Sequence, residues 1–206
     1  AKGGGPATFS ASGEWEGLRV DLSLALAPDL AAWCWQLRLE NRSRDDRVID
    51  VVHAQDVGLA SHGALRLNEF YVAQYVDLTP LAHPRCGWVV AARQNQPQAA
   101  PGARAGRFPW AVLGSLRCGV SYATDALQVF GLDVRMGGEP AGVRLGLPGV
   151  RLQHEHAMAA VQDQAVTLAP GATWTGGFFG LALADHPAAT TAADLPAVDR
   201  ALAWAS

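Results

Sequence analysis

The chain is short of charge and has no excess of either sign. Only 17% of its 206 residues are charged, 16 Lys and Arg against 19 Asp and Glu, for a net charge of −3. It therefore lacks the basic footprint that holds a polyanion, and nucleic acid is not expected as a partner. No stretch reaches the eighteen apolar residues of a membrane-spanning helix, and the start, AKGGGPATFSASG, has neither a charged leader with an apolar core nor a cleavage signal. No membrane partner is expected, and a beginning without Met reads as a cut from something longer. Cysteine is scarce: Cys34, Cys86 and Cys118 are odd in number and widely spaced, which argues for reduced thiols in a cytoplasmic setting.

Several catalytic signatures are also missing. There is no G-x-S-x-G elbow, and the cysteines sit in apolar segments that do not activate a thiol. The glycines at 3–5 precede no strand-to-helix turn, and Gly137-Gly138 falls between expected strands, so no phosphate loop and no cofactor are expected.

What the chain has is apolar alternation. Half of its residues are apolar, enough for one full core. Leu18, Val20, Leu22, Leu24 and Leu26 share one parity while Arg19, Asp21 and Ser23 take the other, the period-two pattern of a half-buried strand. Residues 33–40, 47–54, 87–92, 110–116, 119–124, 127–134, 150–161, 165–168 and 173–183 continue in this way, bounded by Gly, Pro, Asn or Asp. About ten strands with almost no helix predict an all-β fold, a large β-sandwich of two packed antiparallel sheets. Only the end departs from this: Asp194 is a cap, Pro196 suits a first turn, and Leu195, Val198 and Leu202 have helical spacing. That helix is either docked on the sandwich or, having nothing to pack on, the front end of a further element.

Two constellations offer chemistry. His154 and His156 stand two apart, as strand ligands for a metal do, but no Glu or third His follows at cupin spacing, so no metal is expected. Asp56, Glu69, Asp77, Asp125 and Asp133 are available as paired carboxylates, but turn capping accounts better for such residues. The stretch NEFYVAQYVD at 68–77 and RQNQPQ at 93–98 mix planar amides, carboxylates and aromatic faces, company that suits a sugar.

Taken together, VVHAQDVGLA (51–60), LNEFYVAQYVDL (67–78), GWVVAARQNQPQ (87–98), FPWAVLGSL (108–116), YATDALQVFG (122–131) and FFGLALADHP (178–187) resemble the N-terminal β-supersandwich of the phosphorylases in glycoside hydrolase family 94. The nearest likeness is to members acting on β-1,2-linked glucooligosaccharides. The resemblance implies a galactose-mutarotase-like supersandwich over 1–190 and the start of a linker helix over 191–206. It implies a whole enzyme that uses phosphate to cleave a β-glucan oligosaccharide with inversion, releasing α-glucose 1-phosphate. The general acid then belongs to an (α/α)6 barrel absent here, so no catalytic residue is assigned. It leaves room for a homodimer. In the intact enzyme Asn68, Glu69, Tyr71, Gln74, Tyr75 and Asp77, with Arg93, Gln94, Asn95 and Gln96, become carbohydrate-binding candidates. Tying a loop to the sandwich is the competing role for the same residues. The alternative function is a free-standing carbohydrate-binding module or a mutarotase-like epimerase, with His53 or His62 beside Asp56 or Glu69.

Overall fold

The computed structural model describes residues 8–99, 106–152 and 156–205. Twelve strands are present among them: β1 (Thr8–Trp15), β2 (Leu18–Leu26), β3 (Ala32–Asn41), β4 (Arg47–Ile49), β5 (Val52–Asp56), β6 (Val76–His83), β7 (Gly87–Gln94), β8 (Trp110–Ser115), β9 (Gly119–Asp125), β10 (Ala157–Asp163), β11 (Val166–Leu168) and β12 (Thr173–Leu183). Four α-helices join them: α1 (His62–Ala73), α2 (Ala126–Phe130), α3 (Ala141–Arg144) and α4 (Leu195–Ala205).

The large sandwich expected from the alternation is present, as the supersandwich that the family resemblance implies. Its larger layer runs β1-β2-β3-β12-β8-β7 with β6 paired to β7, and its smaller layer runs β9-β10-β5. The two layers are not separate sheets. One parallel bridge, Gly87 to Gly119, links β7 to β9, and there the sheet folds over on itself. Both positions need glycine: Gly87 has φ +72°, and a Cβ on either residue would strike backbone of the opposite strand.

Strand parity then sorts the core into layers. Val90 and Ala92 of β7, Leu113 of β8 and Phe178 of β12 face Tyr122, Ala159 and Val161 of the smaller layer, making the sandwich interior. The opposite parity, Val89, Val112, Phe179 and Leu181, is covered by Val198, Ala201, Leu202 and Ala205 of α4. On the far side of the smaller layer, Ala123, Met158 and Ala160 pack under Ala126, Val129 and Leu147. Each large apolar side chain so buried contributes about 1.5–3 kcal/mol.

The C-terminal helix is therefore docked, with an apolar stripe at Val198, Ala201, Leu202 and Ala205 and an ion pair from Asp199 to Arg85 at 2.6 Å. A 3-10 turn over Ala192–Asp194 leads into it, closed by a capping box in which the Thr191 N–H donates to Asp194 Oδ2 at 2.8 Å. His186 stacks on the buried Trp110 at 5.4 Å and lies 2.8 Å from Asp194 through Nε2, fixing the approach to the helix.

Four other expectations are corrected. Residues 127–134 are not a strand but α2 and a 3-10 turn over Asp133–Met136, because Asp125 and Gln128 form a capping box that overrides the β-rich composition. The segment 47–54 breaks into β4 and β5. The segment 150–161 is strand only from Ala157; residues 153–155, with His154, lie outside the described ones. β1 and β6 were not expected, and neither was α1, which takes in most of the 68–77 stretch and replaces an expected loop.

Candidate functional site

Ser61 caps α1 by accepting from the Ala64 N–H at 3.2 Å, and the helix is broken at Asn68, whose φ of −160° and ψ of 85° are extended. The Asn68 Oδ1 then accepts from the Tyr71 N–H at 3.0 Å and starts the last turn afresh. This second turn carries Phe70, Tyr71 and Gln74 outward, all exposed, ahead of the strand β6. Tyr71 and Tyr75 meet at 5.2 Å and 65°, and the Tyr75 hydroxyl donates to that of Tyr71 at 3.2 Å, which raises the Tyr75 phenol above its ordinary pKa. Tyr71 is 46% and Tyr75 37% exposed.

The two polar stretches do meet. Asp77 is the register partner of Arg93 and Val76 that of Gln94, and the Asn95 N–H donates to the Tyr75 carbonyl at 2.7 Å. Their members divide by environment. Arg93 is buried, donating to the carbonyls of His186 at 2.8 Å and Pro187 at 2.9 Å and to Asn95, with its guanidinium 4.6 Å over the Phe108 ring. Gln94 is wholly buried and donates to the carbonyls of Gly58 at 3.1 Å and Val72 at 3.4 Å, while its Oε1 accepts from the Gln96 N–H at 2.9 Å. Asp77 pairs with Arg151 and accepts from Thr79. Asn68, Glu69, Tyr71, Gln74, Tyr75 and Asn95 stay exposed at one corner.

Beside that corner lies a grouping that local sequence does not reveal. Asp56, Glu69 and His156 bring one ligand atom each within 4.8 Å of one another, with His156 Nε2 3.3 Å from Asp56 Oδ1. β5 pairs with β10 so that Asp56 opposes Met158, which carries His156 to the same end of the smaller layer. That register is the missing signal. The donor types suit Zn²⁺ or Mn²⁺, but Asp56 and Glu69 are exposed, His156 is partly buried, and an ion pair accounts for the contact. An open cleft of about 610 Å³ adjoins them, lined by Asp56, Arg66, Glu69, Phe70 and His156. Phe70 and His156 meet edge-on at 6.1 Å and wall off a second cleft of about 560 Å³ over Leu127 and Phe130.

The other histidines considered lie apart from this grouping. His53 stacks on Phe178 at 5.1 Å, and burial pushes its pKa down to about 4. His62 is exposed at the start of α1. Cys34 and Cys86 are free and buried, and burial pushes both thiols up to about 11, which leaves them unreactive. A larger groove, about 700 Å³, lies elsewhere, on the polar face of β1, β2 and β3. Of the charges that line it, Asp21 and Arg38 pair with each other and with Arg19 and Glu40, and Arg117 donates to the Thr175 carbonyl at 3.1 Å, so the α1 corner is the better candidate. Among the described residues no helix is long and apolar enough to cross a membrane.

Comparison with known proteins bears on this geometry. Over 148 residues, 71% of the chain, it is 36% identical to 1,2-beta-oligoglucan phosphorylase of Listeria innocua serovar 6a (strain ATCC BAA-680 / CLIP 11262), of which the match spans 13%. A solved human-microbiome structure assigned as a kojibiose phosphorylase aligns with 96% of the chain and 20% of its own length, at 10% identity and a TM-score of 0.48. The model of the SOGP N-terminal domain matches residues 5–180, and the chain belongs to that family of phosphorylase N-terminal domains.

Proposed function

We propose that this chain is the noncatalytic N-terminal sandwich of a larger carbohydrate phosphorylase that degrades β-1,2-linked glucooligosaccharides to α-glucose 1-phosphate. The observation that carries this reading is the 36% identity to a phosphorylase of which the match spans 13%. Residues 1–190 form the sandwich, and 191–206 lead from it toward an (α/α)6 catalytic barrel. The exposed corner of Asn68, Glu69, Tyr71, Gln74, Tyr75 and Asn95 lies against the glucan at the barrel's mouth. Tyrosine faces cover the apolar side of a glucose ring while the amides meet its hydroxyls. Arg93, Gln94, Gln96 and Asp77 support that corner from behind. The protein works in the cytoplasm, where its cysteines stay reduced.

The test compares the 206-residue chain with the full-length protein. Given β-1,2-glucooligosaccharides and phosphate, the chain releases no glucose 1-phosphate and binds the sugar on the order of millimolar, about 4 kcal/mol. The full-length protein releases it. Turnover by the chain alone sinks the noncatalytic assignment.

The Asp56, Glu69 and His156 grouping favours one second reading, a mutarotase-like sugar epimerase with a histidine and a carboxylate in one cleft. Polarimetry of freshly dissolved α-glucose separates the two. Acceleration by the chain that is lost in His156→Ala supports the epimerase.

A further inference from the structure

β1 ends the larger layer and pairs only with β2 among the described residues, so its outer row of N–H and C=O groups is open. All eight of its residues are exposed. Natural edge strands are blunted with Lys, Pro, bulges or a covering loop, because an open edge pairs with another chain. β1, TFSASGEW, has no Lys and no Pro, a regular register with β2 along its whole length, and a single charge at Glu14.

One face of β1 is also apolar. Phe9, Ala11, Gly13 and Trp15 share it, with Phe9 56% and Trp15 66% exposed. The register carries that face across Leu22 and Leu24 of β2 onto Leu37 and Trp35 of β3. A contiguous apolar strip of this kind marks an interaction surface.

We infer that β1 pairs antiparallel with β1 of a second copy of this chain, about a two-fold axis through Ser12. The occupant follows from self-complementarity. A two-fold perpendicular to the sheet keeps each residue on its own face, so only residues of like parity stand opposite. Centring on Ser12 sets Phe9 against the partner's Trp15, Ala11 against the partner's Gly13, Ser10 against the partner's Glu14, and Ser12 against itself. The two large aromatics meet across the strands, small residues fill the middle, and no like charges oppose. Centring on Ala11 instead sets Phe9 against Gly13 and leaves Trp15 without an opposite residue in the strand. The larger layers of the two copies then form one continuous sheet. This inference does not rest on the phosphorolysis reading.

The test uses the 206-residue chain. Sedimentation equilibrium gives a mass twice its 21.7 kDa, and Phe9→Lys or Trp15→Lys weakens association at least tenfold with an unchanged circular dichroism spectrum. Register is read by disulfide capture, against the background of the three native cysteines. Ser12→Cys crosslinks, because residues directly opposite stand about 5 Å apart. Glu14→Cys does not, because the two copies of that residue are about 14 Å apart. A monomer at 100 µM (about two orders above a micromolar Kd) overturns the inference. So does a dimer unaffected by the lysine variants, and so does Glu14→Cys capture as efficient as that of Ser12→Cys.

Discussion

The carbonyl of Gly119 lies where a Cβ of Gly87 would be, and this contact is the point at which the sheet folds over into a sandwich. Gly87→Ala adds that clash to the strain of a positive φ of +72°. We expect it to cost more than about 2 kcal/mol, at the upper end of backbone strain effects. Gly137 has φ +82° but open space around its added Cβ, so Gly137→Ala should cost only about 1 kcal/mol. Paired thermal melts check the difference. Equal losses would mean that the contact between strands adds nothing to the strain.

Gln94 holds three backbone groups from three segments: the carbonyls of Gly58 and Val72 and the N–H of Gln96. Gln94→Ala takes this partner from the Gly58 carbonyl and the Gln96 N–H, while the Val72 carbonyl keeps the Tyr75 N–H, at a cost of about 2–3 kcal/mol. In a chain of this size that lowers the Tm by about 4–12 °C. If Gln94 acts only as scaffold, the glucan KM of the full-length protein stays unchanged below the new melting point.

Whether these residues are scaffold or surface was not readable from the chain. Asn68 to Asp77 and Arg93 to Gln96 stand out by composition, and they do come together, since β6 pairs with β7 in register. Burial of Gln94, however, depends on a carbonyl 36 residues earlier, and burial of Arg93 on carbonyls more than 90 residues later. No local pattern carries such distances. The strands β2, β3, β7, β8, β9 and β12 were legible because one or both faces are apolar with period two. β1 was not, because Ala and Gly make its apolar parity weak between Phe9 and Trp15 and neither face is buried. α2 was missed although Asp125 and Gln128 have the spacing of a capping box, a signal outweighed by the Val and Phe that follow.

His53 sets a pH dependence. Burial against Phe178 favours the neutral ring and lowers its pKa from 6.5 to about 4, with a weaker opposing effect from its bond to Gln55. Between those values the unfolded chain binds a proton that the folded chain does not. Stability from this group is thus complete above pH 6.5, falls as pH drops toward 4 and is flat below. The full effect is about 3 kcal/mol. Urea midpoints from pH 7 to 4 should fall for the parent chain, and His53→Phe should remove the part of the slope that lies between pH 6.5 and 4. An unchanged slope in that variant would assign it to the carboxylates instead.

The Tyr71 and Tyr75 pair is the part of the corner with least structural duty. Both rings are more than a third exposed and touch each other edge-on, with hydroxyls 3.2 Å apart. A buried tyrosine would cost roughly 3 kcal/mol or more on truncation. An exposed pair of this geometry contributes about 0.5–1.5 kcal/mol. Tyr71→Ala and Tyr75→Ala should therefore melt within about 6 °C of the parent, given the slope for a chain of this size. If the pair stacks on glucose in the full-length protein, the same variants lose about the same energy from substrate binding, a threefold to tenfold rise in KM at nearly constant kcat. Tyr75→Phe keeps the ring and loses the hydroxyl that donates to Tyr71, so it should recover most of the affinity. A KM unchanged in both alanine variants would remove the tyrosines from the sugar-facing surface, and a fall in kcat without a change in KM would show that they position the barrel instead of the glucan.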